Sequence, residues 1–146
     1  MNAPIQAADA GGVAEAGSIA AHLDDLASRI PIAQIDRVWI FPTRRVAGAY
    51  STVIVIAAFE DDGPASEGRR RVLTAHYTAR VDRRGRIAVE AALDEHGAAP
   101  VDRIGRVVEG VLRRLDEELL ASPPQEAHIG GNVERWAALR GSSTRE

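Results

Sequence analysis

Residues Tyr50 to Phe59, YSTVIVIAAF, decide the fold. Val53, Ile54, Val55 and Ile56 are consecutive β-branched residues, and a strand sends alternate side chains to opposite faces. A run with no polar break is therefore apolar on both faces and predicts a central strand.

The flanking segments supply its neighbours. Glu60 to Gly68 (EDDGPASEG) is acidic and punctuated by Gly and Pro, a turn composition. Arg71 to Val81 (RVLTAHYTARV) alternates, with Leu73, Ala75, Tyr77, Ala79 and Val81 on one face and Thr74, His76, Thr78 and Arg80 on the other. Asp82-Arg83-Arg84-Gly85 joins it to a strand over Arg86 to Leu93. That spacing suits a type I turn with Gly85 in the left-handed conformation, forming a G1 bulge. Upstream, Ile35 to Phe41 (IDRVWIF) predicts a further strand, closed by Pro42 and the loop TRRVAGA.

Two helical patterns bracket these strands. Ile19, Leu23, Leu26, Ala27 and Ile30 recur at helical spacing, with Ser18 placed to cap the start and Pro31 to stop the helix near Ile30. Ile104, Val107, Val108, Val111, Leu112, Leu115 and Leu119 form a wide apolar stripe that Asp102 would cap and Ser122-Pro123-Pro124 would end.

In this order the elements predict an α+β two-layer sandwich: a four-stranded antiparallel β-meander with an N-terminal and a C-terminal helix on one face, α-β-β-β-β-α. Residues 1–17, small and without periodicity, are expected to be a disordered leader, and 18–121 a single domain. Residues 122–146 are expected to be a flexible tail with a short amphipathic segment at 133–140. There Val133, Trp136 and Leu139, spaced i, i+3, i+6, would dock either on their own domain or on a partner.

Composition narrows the chemistry. A chain of 146 residues can bury a core without disulfides or metals. All 18 basic residues are Arg, and there is no Cys. The lack of Lys excludes a Walker-type phosphate loop and Schiff-base catalysis, and the lack of Cys excludes thiol catalysis and thiolate zinc sites. The N-terminus carries no signal-like segment, and no apolar run approaches the ~20 residues that span a bilayer. A cytoplasmic location is expected. The net charge of −3 argues against whole-surface binding to nucleic acid.

No linear motif points to an enzyme. His22, His76, His96 and His128 fall on a helix, a strand, a loop and the tail, none in a metal-ligand frame with another. G-x-S-x-G and G-x-G-x-x-G are absent. No catalytic residue, metal or cofactor is assigned.

The functional expectation comes from the sheet. In the one-sided meander, Val38, Ile40, Leu73, Ala75, Tyr77, Val81, Ile87, Val89 and Leu93 would lie under the helices. The open face would carry Arg37, Trp39, Phe41, Thr74, His76, Thr78 and Arg80, with Ala88 and Glu90 beside them. An open aromatic and apolar face of that extent predicts a partner. The chain reads as a non-enzymatic protein-interaction module, adaptor or chaperone-like, bound through that face to a second copy or to another protein. The alternative is an anion or nucleic-acid binder. The meander gathers Arg44, Arg45, Arg83, Arg84 and Arg86 at one end of the sheet, where guanidinium groups could grip phosphate or carboxylate.

Overall fold

The computed structural model describes residues 19–60 and 68–128, together with Trp136 and Leu139. The expected leader, Ser18, the acidic loop residues 61–67 and Val133 lie outside the described residues.

The architecture is α+β with an antiparallel sheet. Helix α1 spans Ile19–Arg29. Strands β1 (Ile35–Ile40), β2 (Arg44–Val46), β3 (Ala49–Phe59), β4 (Arg69–Val81) and β5 (Ile87–Pro100) follow. Then come helices α2 (Ile104–Leu115) and α3 (Glu117–Ala121), and strand β6 (Gln125–His128). The sheet runs β5-β4-β3-β1-β6, with the short β2 also on β3.

The central strand is as the sequence predicts. β3 pairs with β1 on one side and β4 on the other, and Ser51 to Ala58 are buried without interruption. The β4–β5 turn also closes as expected: Gly85 has φ +78 and donates to the Asp82 carbonyl, and the Asp82 amide donates to the Arg86 carbonyl. The loop expected after Pro42 contains a tight hairpin instead. Ala47 (φ 51) and Gly48 (φ 80) turn β2 into β3 with two left-handed residues, the geometry that matches sheet twist.

The placement of the helices corrects the one-sided arrangement. Leu23, Leu26 and Ile30 pack with Val38, Ile40, Ile54, Ile56, Leu73, Ala75 and Tyr77 on one face of the sheet. Ile104, Val108, Val111 and Leu112 of α2 and Leu119 of α3 pack with Trp39, Phe41, Val53, Val55 and Val72 on the other. The sheet lies between helices, and the two-faced strand at its centre is covered on both sides. Leu115, placed in the apolar stripe by its spacing, is exposed because the helix breaks after it. Asp116 is extended and caps α3, its carboxylate accepting from the Glu118 amide at 2.9 Å. Asp102 is not a cap: it lies in a 3-10 turn before α2, whose N-cap position is Arg103.

Part of the expected tail belongs to the sheet and the core. β6 pairs with β1 from Arg37 opposite His128 to Ile40 opposite Gln125. Trp136 and Leu139 are buried in the cluster beneath α1.

At the far end of β3 an internal ion pair accompanies an irregularity in the ladder. The β1–β3 ladder shifts between Ile35 and Arg37, which turns the intervening Asp36 toward the α2 face. There the Arg70 Nε donates to Asp36 at 2.7 Å, and its guanidinium lies 4.3 Å from the Phe59 ring centre.

Candidate functional site

The residues expected on the open face do not form one surface. Trp39, Phe41 and Thr74 are buried beneath α2 and α3. Arg37 is half-buried, stacked 4.8 Å from the Trp39 ring centre and ion-paired with Glu126 of β6. His76 and Arg80 are exposed and Thr78 half-buried. This face is open only where α2 stops covering it, over β4 and β5.

Two polar contacts decorate that remnant. The Ser51 Oγ and His76 Nε2 are 2.7 Å apart, and the Thr74 Oγ1 and His96 Nε2 2.9 Å. Both join residues that sequence spacing could not bring together, because the pairs span two strands and depend on register. A hydroxyl against an exposed imidazole is one element of a nucleophilic site, but among the described residues no third group orients His76. Among the described residues no cluster of His, Asp and Glu could hold a metal ion.

The Arg group is also divided. The Arg44 guanidinium donates to Asp116 at 2.9 Å and to Glu118 at 3.1 Å, so it fastens the α2–α3 junction to β2. The Glu118 amide first, and then Arg44, hold the Asp116 carboxyl below its ordinary range. Arg45, Arg83, Arg84 and Arg86 are exposed at the same end of the sheet.

A buried polar group went unnoticed in the sequence. His22, on the apolar side of α1, stacks on Tyr77 with ring centres 4.1 Å apart, and the Tyr77 hydroxyl donates to Asp25 at 2.7 Å. Burial, and after it that hydrogen bond, push the Tyr77 hydroxyl well above the usual phenol range. The spacing of His22 one residue before Leu23 and four before Leu26 was the signal. The arrangement ties α1 to β4 and leaves the phenol protonated.

A groove of about 250 Å³ lies between β1, α2 and α3, lined by Trp39, Phe41, Val108, Leu112, Leu119 and Leu120 among others. Most of its lining is apolar, with Glu109 and Ser122 also contributing.

The least covered element is β5. It is 14 residues long and ends the strand order, so among the described residues it pairs only with β4. Ile87 to Glu95 are exposed whichever face they point to. Register places Val89 beside Ala79, Ala91 beside Tyr77 and Leu93 beside Ala75, on the α1 face. Ile87, Val89 and Leu93 were expected under a helix, yet they are 36%, 48% and 36% exposed, and neighbouring Val81 is 44%. The helices cover the β1–β3–β4 part of the sheet and reach β5 only near Ala99, leaving Ile87 to Glu95 uncovered.

The backbone of β5 is equally open. The Asp82–Arg86 bond makes that pair hydrogen-bonded, and antiparallel ladders alternate. The amides and carbonyls of Ala88, Glu90 and Ala92 therefore bond to β4, while those of Ile87, Val89, Ala91 and Leu93 point outward. Beyond Asp94 the edge is blunted. The ladder shifts between Arg71 and Leu73, Gly97 has φ +89, and Glu95 is bound by Arg71 at 2.8 Å.

Comparison with known proteins returns no match: no family model, no curated protein and no solved structure matches the chain. No helix among the described residues is long and apolar enough to cross a membrane.

Proposed function

We propose that the chain is a non-enzymatic protein-interaction module that binds by strand addition at β5. The observation that carries this reading is the length of unpaired edge exposed on both faces, with an apolar row beside it. An added strand would satisfy the outward amides and carbonyls of residues 87–93 and cover Ile87, Val89 and Leu93, so that main-chain bonds give affinity and side chains select. The interaction surface thus moves from the sheet face expected from sequence to the sheet edge. The cytoplasmic setting expected from the sequence is part of the proposal.

A photoreactive benzophenone residue at Val89, compared in cells with one at Arg113 on the exposed side of α2, tests it. Adducts at position 89 that disappear with Ala91→Pro sustain the reading, since proline there removes an outward donor and leaves the β4 bonds intact. Adducts no different from those at position 113 sink it.

A second reading rests on the exposed end formed by Arg45, Arg83, Arg84 and Arg86. An anionic polymer bound there would dissociate steeply with added salt. Arg44 is outside that surface because Asp116 and Glu118 hold it. Retention of single-stranded nucleic acid at low salt that is lost when these four residues become Gln would support it, and no retention would remove it.

A further inference from the structure

Resting on the strand-addition reading, we infer that the occupant of the β5 edge is a second copy of this chain, paired antiparallel about a two-fold axis through Ala88. The argument begins with charge. The start of β5 is basic, with Arg83, Arg84 and Arg86, and its continuation is acidic, with Glu90, Asp94 and Glu95. Two copies laid antiparallel place each basic start along the other's acidic continuation. A strand of uniform sign would repel its own copy.

Register follows from the same residues. Pairing centred on Glu90 would set two Glu90 carboxylates against each other, and pairing centred on Ala92 would set Glu90 against Asp94 of the partner copy. Like charges directly opposed are destabilising. Centred on Ala88, the ladder opposes Arg86 to the partner's Glu90, and the two-fold supplies that pair twice. It also opposes Ile87 to the partner's Val89, again twice. With Val81 adjacent to Ile87 in the β4–β5 ladder, the exposed apolar residues of both copies then form one band across the junction.

Hydrogen-bonding parity permits this register, as it permits axes through Val89 and Ala91, but those oppose Arg86 to the partner's Ala92 or the partner's His96 and not to a carboxylate. Ile87, Val89 and Ala91 have outward-facing amides and carbonyls, so Ile87 and the partner's Val89 make a hydrogen-bonded pair. Ala88 meets the partner's Ala88 in a non-hydrogen-bonded pair, in which the Cα atoms are about 4.5 Å apart. The paired stretch runs from Arg86 to Glu90 in each copy and is bounded by the turn at Gly85.

That geometry permits a direct test in a chain that has no cysteine of its own. A disulfide requires Cα atoms about 4.4–6.8 Å apart. Full-length Ala88→Cys, mildly oxidised at micromolar concentration, is expected to run as a covalent dimer, whereas Glu90→Cys and Ala92→Cys stay monomeric. Sedimentation of the unmodified chain should give a dimer whose dissociation constant rises at least tenfold with Glu90→Arg and returns toward the original with Arg86→Glu added. Each of these changes lies on an exposed strand margin, and circular dichroism verifies that the variants fold. A monomer at every concentration with no crosslink at position 88 overturns self-pairing, and so does a crosslink at 90 or 92 in place of 88. In the monomeric case, benzophenone adducts at Val89 to a different protein leave strand addition standing with another occupant. Absence of adducts as well ends both.

Discussion

Removing the Asp36 carboxylate should cost more stability than any surface ion pair in the molecule. The Asp36 and Arg70 side chains are 9% and 8% exposed and 2.7 Å apart, and Arg70 also donates to the Arg69 carbonyl at 2.9 Å. Asp36→Ala removes the carboxylate beside a buried guanidinium, a change that costs about 3–5 kcal/mol. The total stability of a domain this size is about 5–15 kcal/mol. With a urea m value of about 2 kcal/mol/M, the midpoint should fall by about 2 M. Arg70→Met should cost a similar amount by removing the guanidinium beside a buried carboxylate. The double variant, Asp36→Leu with Arg70→Met, removes both charges and should lose far less than the sum, giving a coupling of about 3 kcal/mol or more. Urea unfolding followed by tryptophan fluorescence suits the measurement, because Trp39 and Trp136 lie in the cores on opposite faces of the sheet. Coincidence with circular dichroism verifies two-state behaviour. A loss below about 0.5 kcal/mol for Asp36→Ala, or a double variant that merely sums the singles, would refute a desolvated pair.

Three further outcomes follow from particular contacts. Asp116 has its pKa lowered by the Glu118 amide and by Arg44, so its contribution to stability is present above the unfolded value of about 3.9 and is lost as pH falls through the folded one. Asp116→Asn retains a capping oxygen, and its stability gap from the unmodified chain, measured by urea titration, should close as pH falls below the unfolded carboxylate value and through the lower folded one. Trp136→Ala empties a fully buried site beneath α1 and should cost about 3–5 kcal/mol, lowering the melting temperature by about 10 °C or more, whereas a solvent-exposed tail residue would leave it unchanged. Ala47 holds φ 51 in a two-residue turn before Gly48, so Ala47→Asn should relieve left-handed strain and raise stability by about 1 kcal/mol in the same titration.

Local features were legible in the sequence where one physical pattern dominated. The unbroken apolar run of β3, the alternation of β4, the Gly85 turn and the stripe of α1 each follow from side-chain period or backbone freedom. Features supplied by a neighbour were not. β5 continues through Asp94-Glu95-His96-Gly97, residues of low strand propensity, because β4 offers a ladder as far as Arg69. Gln125 to His128 become a strand because β1 has a free edge, although nothing in QEAH favours one. The helix break at Asp116 had a signal in the caps, since Asp before Glu-Glu starts a helix as readily as it continues one. Trp39 and Phe41 differ most from expectation: their aromatic side chains on the second face of β1 suggest a surface awaiting a partner, but a two-faced β3 requires cover on both sides and α2 carries a stripe wide enough to provide it.

The same correction explains why the proposed interaction surface lies at an edge. Each helical layer covers a limited width of sheet, and both are centred on β3, the strand that most needs covering. What remains open is the margin farthest from it in strand order. At the β6 end that margin is four residues long, and the ion pair of Arg37 with Glu126 crosses between its two strands. At the β5 end it is long, regular from Ile87 to Asp94, and basic at one end and acidic farther along. An exposed edge of that kind promotes open-ended aggregation unless something closes it. Under the proposed pairing about a two-fold, the same patch on both copies covers the Arg86–Glu90 part of this edge. The carboxylates of Glu90 and Asp94 then act twice: they repel the registers that would place them together, and Glu90 attracts the partner's Arg86 in the one that does not.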